Sequence, residues 1–260
     1  MKPMPPLVPG KTVLAARCFG LLLAVLLGAG VAGRAAADPS ALWHVVHGRC
    51  VPDLLRKHDP APCAAVNLDQ GYAVLKDRRG PYQFLLIPTA RVSGIDDPAI
   101  LAPGAPNYWQ AAWQARRFLE RRVGRPVARD DLTLAINSAA GRSQDQLHIH
   151  IDCIRPDVRA ALRQHLGVVG AHWAPFPVPL AGKRYRAMRI AQPDLRDVDP
   201  FRILAGSVAP DQMRWHTLVI AAVSFGGRPG FVLLDDRANP AAGDWGHGEA
   251  LQDHACTVLR

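Results

Sequence analysis

Polar and apolar residues alternate along Gln146-Leu147-His148-Ile149-His150-Ile151, the spacing of a half-buried strand. Gln146, His148 and His150 share one face, and Leu147, Ile149 and Ile151 share the other. Other strands are expected at residues 71–77 and 82–88, joined by the turn Arg78-Arg79-Gly80-Pro81, and at residues 132–137. Trp109, Ala112, Trp113, Arg116 and Leu119 recur at helical spacing between residues 107 and 122, with Gly124 as a stop signal. Shorter helices are expected over 41–57 and over 158–166, the latter with Asp157 near its cap. Beyond His165 the pattern loosens, until apolar segments 217–225 and 231–235 flank the turn 226–230. That hairpin faintly echoes the 71–88 hairpin, so the second half (166–260) reads as a degenerate copy of the first (41–165). The fold class is α+β, an antiparallel sheet with flanking helices.

Residues 13–33 are apolar apart from Arg17. About 20 such residues span a bilayer as a helix. Lys2, Lys11, Arg17 and Arg34 precede Asp38 and no acid does, so the N-terminus is expected in the cytoplasm and the remainder outside. The rival reading is a cleaved leader, because Ala35-Ala36-Ala37 offers an A-x-A site. Either way residues 1–37 are an anchor or signal segment and residues 38–260 an exported domain. Of the formal net charge of +9, +5 remains after those four cations are set aside. A modestly basic domain suits an anionic substrate or membrane surface, and no Lys/Arg run interleaved with aromatics argues for nucleic acid. Export also changes how Cys50, Cys63, Cys153 and Cys256 read: four thiols in an oxidising compartment suggest two disulfides, with three pairings open. Cys50 and Cys63 flank a Pro-rich loop they could close, and a Cys153–Cys256 bridge would tie the tail to the histidine strand.

The chemistry centres on His148 and His150. A neutral imidazole whose other nitrogen is held by a carbonyl can attack phosphorus, splitting one displacement into two. Asn137 to Gln144 form a polar turn just upstream, where Ser143, Arg142 and backbone amides could neutralise phosphoryl oxygens. A pyrophosphate substrate suits such a site, because its phosphate leaving group is already a weak base; neither metal nor cofactor is required. The alternative is an exported metal-dependent hydrolase or metal-binding protein, with His148 and His150 as ligands and Asp152, on the same face, as a third.

The order of hairpin, helix, strand ending in Asn137, Gly-x-Ser turn and histidine strand resembles the histidine-triad superfamily. Gln146 stands at the first position of that family's H-φ-H-φ-H pattern, His148 at the middle and His150 at the last. The segments Gly71-Tyr72-Ala73-Val74-Leu75-Lys76-Asp77, Gly141-Arg142-Ser143-Gln144, Cys153-Ile154-Arg155-Pro156-Asp157-Val158 and Leu251-Gln252-Asp253-His254-Ala255-Cys256 are similar to one branch, the bacterial CDP-diacylglycerol pyrophosphatases. The resemblance implies a histidine-triad-like fold anchored by one helix at the inner membrane, with its catalytic domain in the periplasm. It implies hydrolysis of CDP-diacylglycerol to CMP and phosphatidate, with His148 as nucleophile. His150 and Ser143 would assist catalysis, and Asn137, Arg142 and Gln146 would bind substrate.

Overall fold

The structure, a computed structural model, describes residues 38–260 together with residues 1, 3 and 4. The apolar stretch 13–33, read above as an anchor or leader, lies outside the described residues. Among those described, no helix is long and apolar enough to cross a membrane.

The domain opens with one helical run: α1 (Ala41–Val45), a π-helical turn (Val46–Cys50) and α2 (Val51–Lys57). Then come β1 (Ala65–Asn67), β2 (Tyr72–Lys76), β3 (Phe84–Pro88), α3 (Tyr108–Val123), β4 (Leu132–Ile136), β5 (Ile149–Cys153) and α4 (Pro156–His165). The rest adds β6 (Ala174–Pro175), β7 (Arg186–Ile190), α5 (Pro200–Ala205), β8 (His216–Phe225) and β9 (Arg228–Arg237). Nine strands form a single antiparallel sheet in the order β1-β2-β3-β5-β4-β8-β9-β7-β6.

Setting β1 aside, this order reads alike from either edge. Strands β2-β3, helix α3 and strands β4-β5 are mirrored by β6-β7, α5 and β8-β9, and β4 meets β8 at the centre. The β8–β9 hairpin thus occupies the place of β4–β5, not of the 71–88 hairpin with which its sequence was compared. Its turn is shorter than expected: Gly226 and Gly227 alone turn the chain, at φ of 56° and 81°, and residues 228–230 are already strand. Left-handed φ at two successive turn residues favours glycine at both.

Helix α3 covers one face of the sheet. The Asn107 side chain caps it by accepting from the Gln110 amide at 3.0 Å, and Gly124 ends it at φ 83°. Its apolar stripe, including Trp109, Ala112, Trp113 and Leu119, buries against Leu86, Ile149, Ile151 and Leu134, with Phe201 of α5 beside Trp109 at 5.2 Å between rings. Burying a large apolar side chain of this kind contributes about 1.5–3 kcal/mol, so this face anchors the domain. Helix α4 covers the other face over the second half, placing Val158 and Leu162 against Val219, Ala221 and Leu234. Helix α4 starts two residues earlier than expected, with Arg155 at the N-cap position and no side-chain cap; Asp157 lies near it in the first turn, bound to the Arg155 guanidinium.

Over the first half, among the described residues, that second face is covered by the α1–α2 run, through Val46 and Cys50 against Ala73, Leu85 and Ile87, and by the C-terminal tail, where His254 bonds Asp152. One row across the sheet records the change: Leu85, His150, Ala135, Val219, Leu234 and Ala187 are successive register partners. Where the second half has Leu234 under a helix, the first has His150 beside a cavity. Disulfides Cys50–Cys63 and Cys153–Cys256 clamp the α1–α2 run and the C-terminal tail respectively.

Candidate active site

A cavity of about 480 Å³ opens on the face left uncovered beside α1. His148, His150, Asn137 and Ser143 line it, with Lys76, Arg78, Arg79 and Glu249. Leu42, Val45, Leu75 and Leu85 supply an apolar wall.

Strand β5 begins at Ile149, one residue later than the position of His148, yet the alternation holds: Leu147, Ile149 and Ile151 enter the core while His148 and His150 turn to the cavity. His148 Nδ1 lies 2.7 Å from the carbonyl oxygen of Gln146. A carbonyl only accepts, so Nδ1 carries the proton and Nε2 keeps its lone pair. Burial holds the His148 imidazole below its ordinary pKa, although the Gln146 carbonyl favours the charged form. The ring is therefore neutral at neutral pH, with a lone pair on Nε2 that is chemically able to attack an electrophile.

The His150 ring stands 4.9 Å from that of His148, nearly edge-on at 65°. Its Nδ1 is 3.2 Å from the Gln83 side-chain amide and 3.6 Å from Glu249 Oε2. Its Nε2 is buried with no hydrogen-bond partner among the described residues. Burial, and secondarily the charge of a protonated His148, push its pKa down to about 3. With Nδ1 accepting from the Gln83 amide, Nε2–H is a donor available to a phosphoryl oxygen.

Asn137 follows β4 and donates from Nδ2 to Glu249 Oε1 at 3.1 Å. The turn after it is braced by the segment ahead of Glu249: the Ser138 hydroxyl donates to the Trp245 carbonyl at 2.7 Å, and the Ser138 amide to Gly246 O at 2.9 Å. Gly141 has to be glycine here, because a Cβ would lie 2.5 Å from Trp245 O and 2.7 Å from the His247 ring. Ser143 lies past this turn, exposed at the cavity mouth.

Two expected substrate contacts are placed elsewhere. Gln146 is fully buried, and its side-chain amide donates to the carbonyls of Pro88 at 3.1 Å and Ala90 at 2.9 Å, pinning the approach to β5 onto the end of β3. Arg142 does not line the cavity. Its guanidinium is engaged by Asp96 and by Asp145, the latter at 3.1 Å, which neutralise it.

The cations that do reach the cavity come from the end of β2 and the β2–β3 turn. Lys76 donates to Gly80 O at 2.9 Å, and Arg79 pairs with Glu249 at 3.0 Å. Burial would raise the Glu249 carboxyl, but the neighbouring His150, Arg79, Asn137 and His254 more than offset it and hold the group ionised. His254 Nε2 lies 3.9 Å from Glu249, while its Nδ1 bonds Asp152 at 2.7 Å, which raises the His254 pKa. Glu249 carries no mark in the sequence because it lies in a single short 3-10 turn (Gly248–Leu251) with no periodicity, and His254 stood out only as part of the segment Leu251–Cys256. Among the described residues, the one group of three side chains close enough to share an ion is Asp152, Cys153 and Cys256. Its two sulfurs are joined in a disulfide and Asp152 is held by His254, so the third ligand proposed for a His148/His150 metal site is already engaged.

Residues 37–260 match the family description CDP-diacylglycerol pyrophosphatase. The chain is similar to the CDP-diacylglycerol pyrophosphatase of Yersinia pestis, 43% identical over 242 residues, covering 92% of this chain and 93% of that protein.

Proposed function

The chain belongs to the CDP-diacylglycerol pyrophosphatase family and hydrolyses CDP-diacylglycerol, and we propose that it does so through a covalent cytidylyl intermediate on His148. His148 Nε2 attacks the phosphorus bearing cytidine, the bond to the second phosphate breaks, and phosphatidate leaves with the electron pair. Water then attacks the same phosphorus, the P–N bond breaks, and CMP is released. The observation that carries this reading is the Nδ1–H bond from His148 to Gln146 O, which fixes the tautomer and leaves Nε2 as the lone-pair nitrogen in the cavity. His150 Nε2–H, Lys76, Arg79, Asn137 and Ser143 supply the positive and polar environment a transferring phosphoryl group needs. The weak basicity of a phosphate leaving group removes the need for a strong acid.

The histidine-triad-like architecture, with a second half derived from the first, is part of the proposal. Its support is the helix between two strand pairs in each half and the mirrored strand order about β4 and β8. Inner-membrane anchoring by residues 13–33, with the domain in the periplasm, completes it. Support comes from the apolar stretch, from two disulfides, and from where the domain begins. Asp38 O and Pro39 O accept from Gln144 Nε2 at 2.9 Å and Asp145 N at 2.7 Å, so the chain enters the domain beside Ser143 at the cavity mouth.

The test is product analysis with the full chain and CDP-diacylglycerol in detergent, with excess chelator. CMP and phosphatidate in equal amounts are expected, with turnover abolished in H148A. Full activity in H148A, or loss of activity with chelator, contradicts the reading.

A further inference from the structure

The second step releases a proton from the attacking water, and nothing assigned so far receives it. His148 Nδ1 already carries a proton held by Gln146 O. His150 Nδ1 accepts from the Gln83 amide, and Nε2–H faces the phosphoryl group. Lys76 and Arg79 are cations. Among the described residues lining the cavity, that leaves two carboxylates, Asp77 and Glu249. Only Glu249 contacts a catalytic imidazole, at 3.6 Å from His150 Nδ1.

A carboxylate is costly to place in a pocket for a polyanion, since it repels the substrate and loses hydration. Here it is retained and elaborately held: Asn137 Nδ2 on Oε1, Arg79 on Oε2, and Gly248 packed so closely before it that a Cβ there would lie 2.5 Å from Thr217 Oγ1 and 2.8 Å from Ile136 O. From Glu249 Oε2 a route continues outward. His254 Nε2 is 3.9 Å away, the His254 side chain is 31% exposed, and its Nδ1 is steadied by the buried Asp152.

We propose that Glu249 is the general base for hydrolysis of the cytidylyl–His148 intermediate, and that His254 carries the proton from it to solvent. This rests on the covalent reading above. In the step, the water oxygen bonds to phosphorus, the P–Nε2 bond breaks and its electron pair returns to His148. The water proton goes to a Glu249 oxygen, then to His254 Nε2, and from there to bulk water. The first step needs no base, so Glu249 is idle while phosphatidate leaves.

That asymmetry gives the test. Full-length protein is mixed with CDP-diacylglycerol and quenched at intervals, following phosphatidate, CMP and acid-labile adduct separately. E249Q should release phosphatidate in one stoichiometric burst at a near-normal rate, then accumulate the adduct, with CMP release slowed about 100-fold or more. Added formate, a small base, should restore CMP release in E249Q, which a purely structural role would not allow. H254Q should bias the reaction the same way with a smaller effect. E249D keeps the charge beside Arg79 and should slow only CMP release, so the test survives if E249Q folds poorly. Equal slowing of both products in E249D or E249Q, or adduct hydrolysis at the wild-type rate, overturns the assignment of Glu249. No burst and no adduct in wild type and variants alike overturns the covalent reading itself.

Discussion

Removing the Cys153–Cys256 disulfide should destabilise this domain more than any other cross-link change, for a reason calculable from chain length. The bridged cysteines are 103 residues apart, against 13 for Cys50–Cys63. Loop-closure entropy then gives about 4.7 kcal/mol for the long loop and about 2.9 kcal/mol for the short one at 25 °C. All four cysteines are buried, so both double variants also lose packing and the difference between them rests on loop length. With a urea m-value of about 2.5 kcal/mol/M, the long-loop variant should unfold about 1.9 M earlier than wild type and C50A/C63A about 1.2 M earlier. The same variant frees the tail that carries His254, so its residual folded fraction should turn over slowly as well. The assay is equilibrium urea unfolding followed by far-UV circular dichroism, with m-values fitted independently. A C50A/C63A variant that loses as much stability as C153A/C256A, at unchanged m, would refute the chain-entropy argument.

Gly141→Ala should cost about 1–3 kcal/mol, because its Cβ meets backbone at Trp245, and turnover should drop with it; thermal melts and CMP release check this. The folded state keeps His148 and His150 deprotonated below the ordinary imidazole pKa of 6.5, chiefly by burial. The unfolded chain takes up these protons as pH falls through 6.5, so the stability the histidines confer is complete above that value and is lost progressively toward about 3. Urea midpoints measured against pH should show the decline, and H150Q should flatten it. Arg142→Ala should lower the melting temperature while leaving KM for CDP-diacylglycerol nearly unchanged, because Asp96 and Asp145 neutralise that guanidinium. Arg79→Ala should instead raise KM about tenfold, the scale of one charged hydrogen bond.

The parts of this fold legible in the sequence are those with a period. The β5 alternation, the 71–88 hairpin and the α3 stripe each bury one face, and burial imposes the spacing that marks them. Helix α5 has six residues, too few for a period to show, and β7 places Arg186 and Arg189 among its apolar positions, so both were missed. The alternation correctly aimed His148 and His150 at one cavity, but it could not say which polar neighbours had other partners. Gln146 shares their face by spacing, yet its amide is consumed by carbonyls of Pro88 and Ala90 more than 50 residues earlier. Arg142 is silenced by Asp96, 46 residues away. Glu249 reaches the site from 112 residues beyond Asn137, through irregular backbone, and only the three-dimensional structure brings the two together.

His148 Nε2 is the nitrogen that the covalent mechanism bonds to phosphorus. The most direct measurement is to quench the full-length enzyme during turnover of CDP-diacylglycerol labelled in the cytidine-bearing phosphate, digest it under mildly alkaline conditions, and locate the label by mass spectrometry. One acid-labile CMP adduct is expected, on Nε2 of His148, present in wild type, absent in H148A and retained at a lower level in H150Q. A label on His150, or wild-type turnover in H148A, would contradict it.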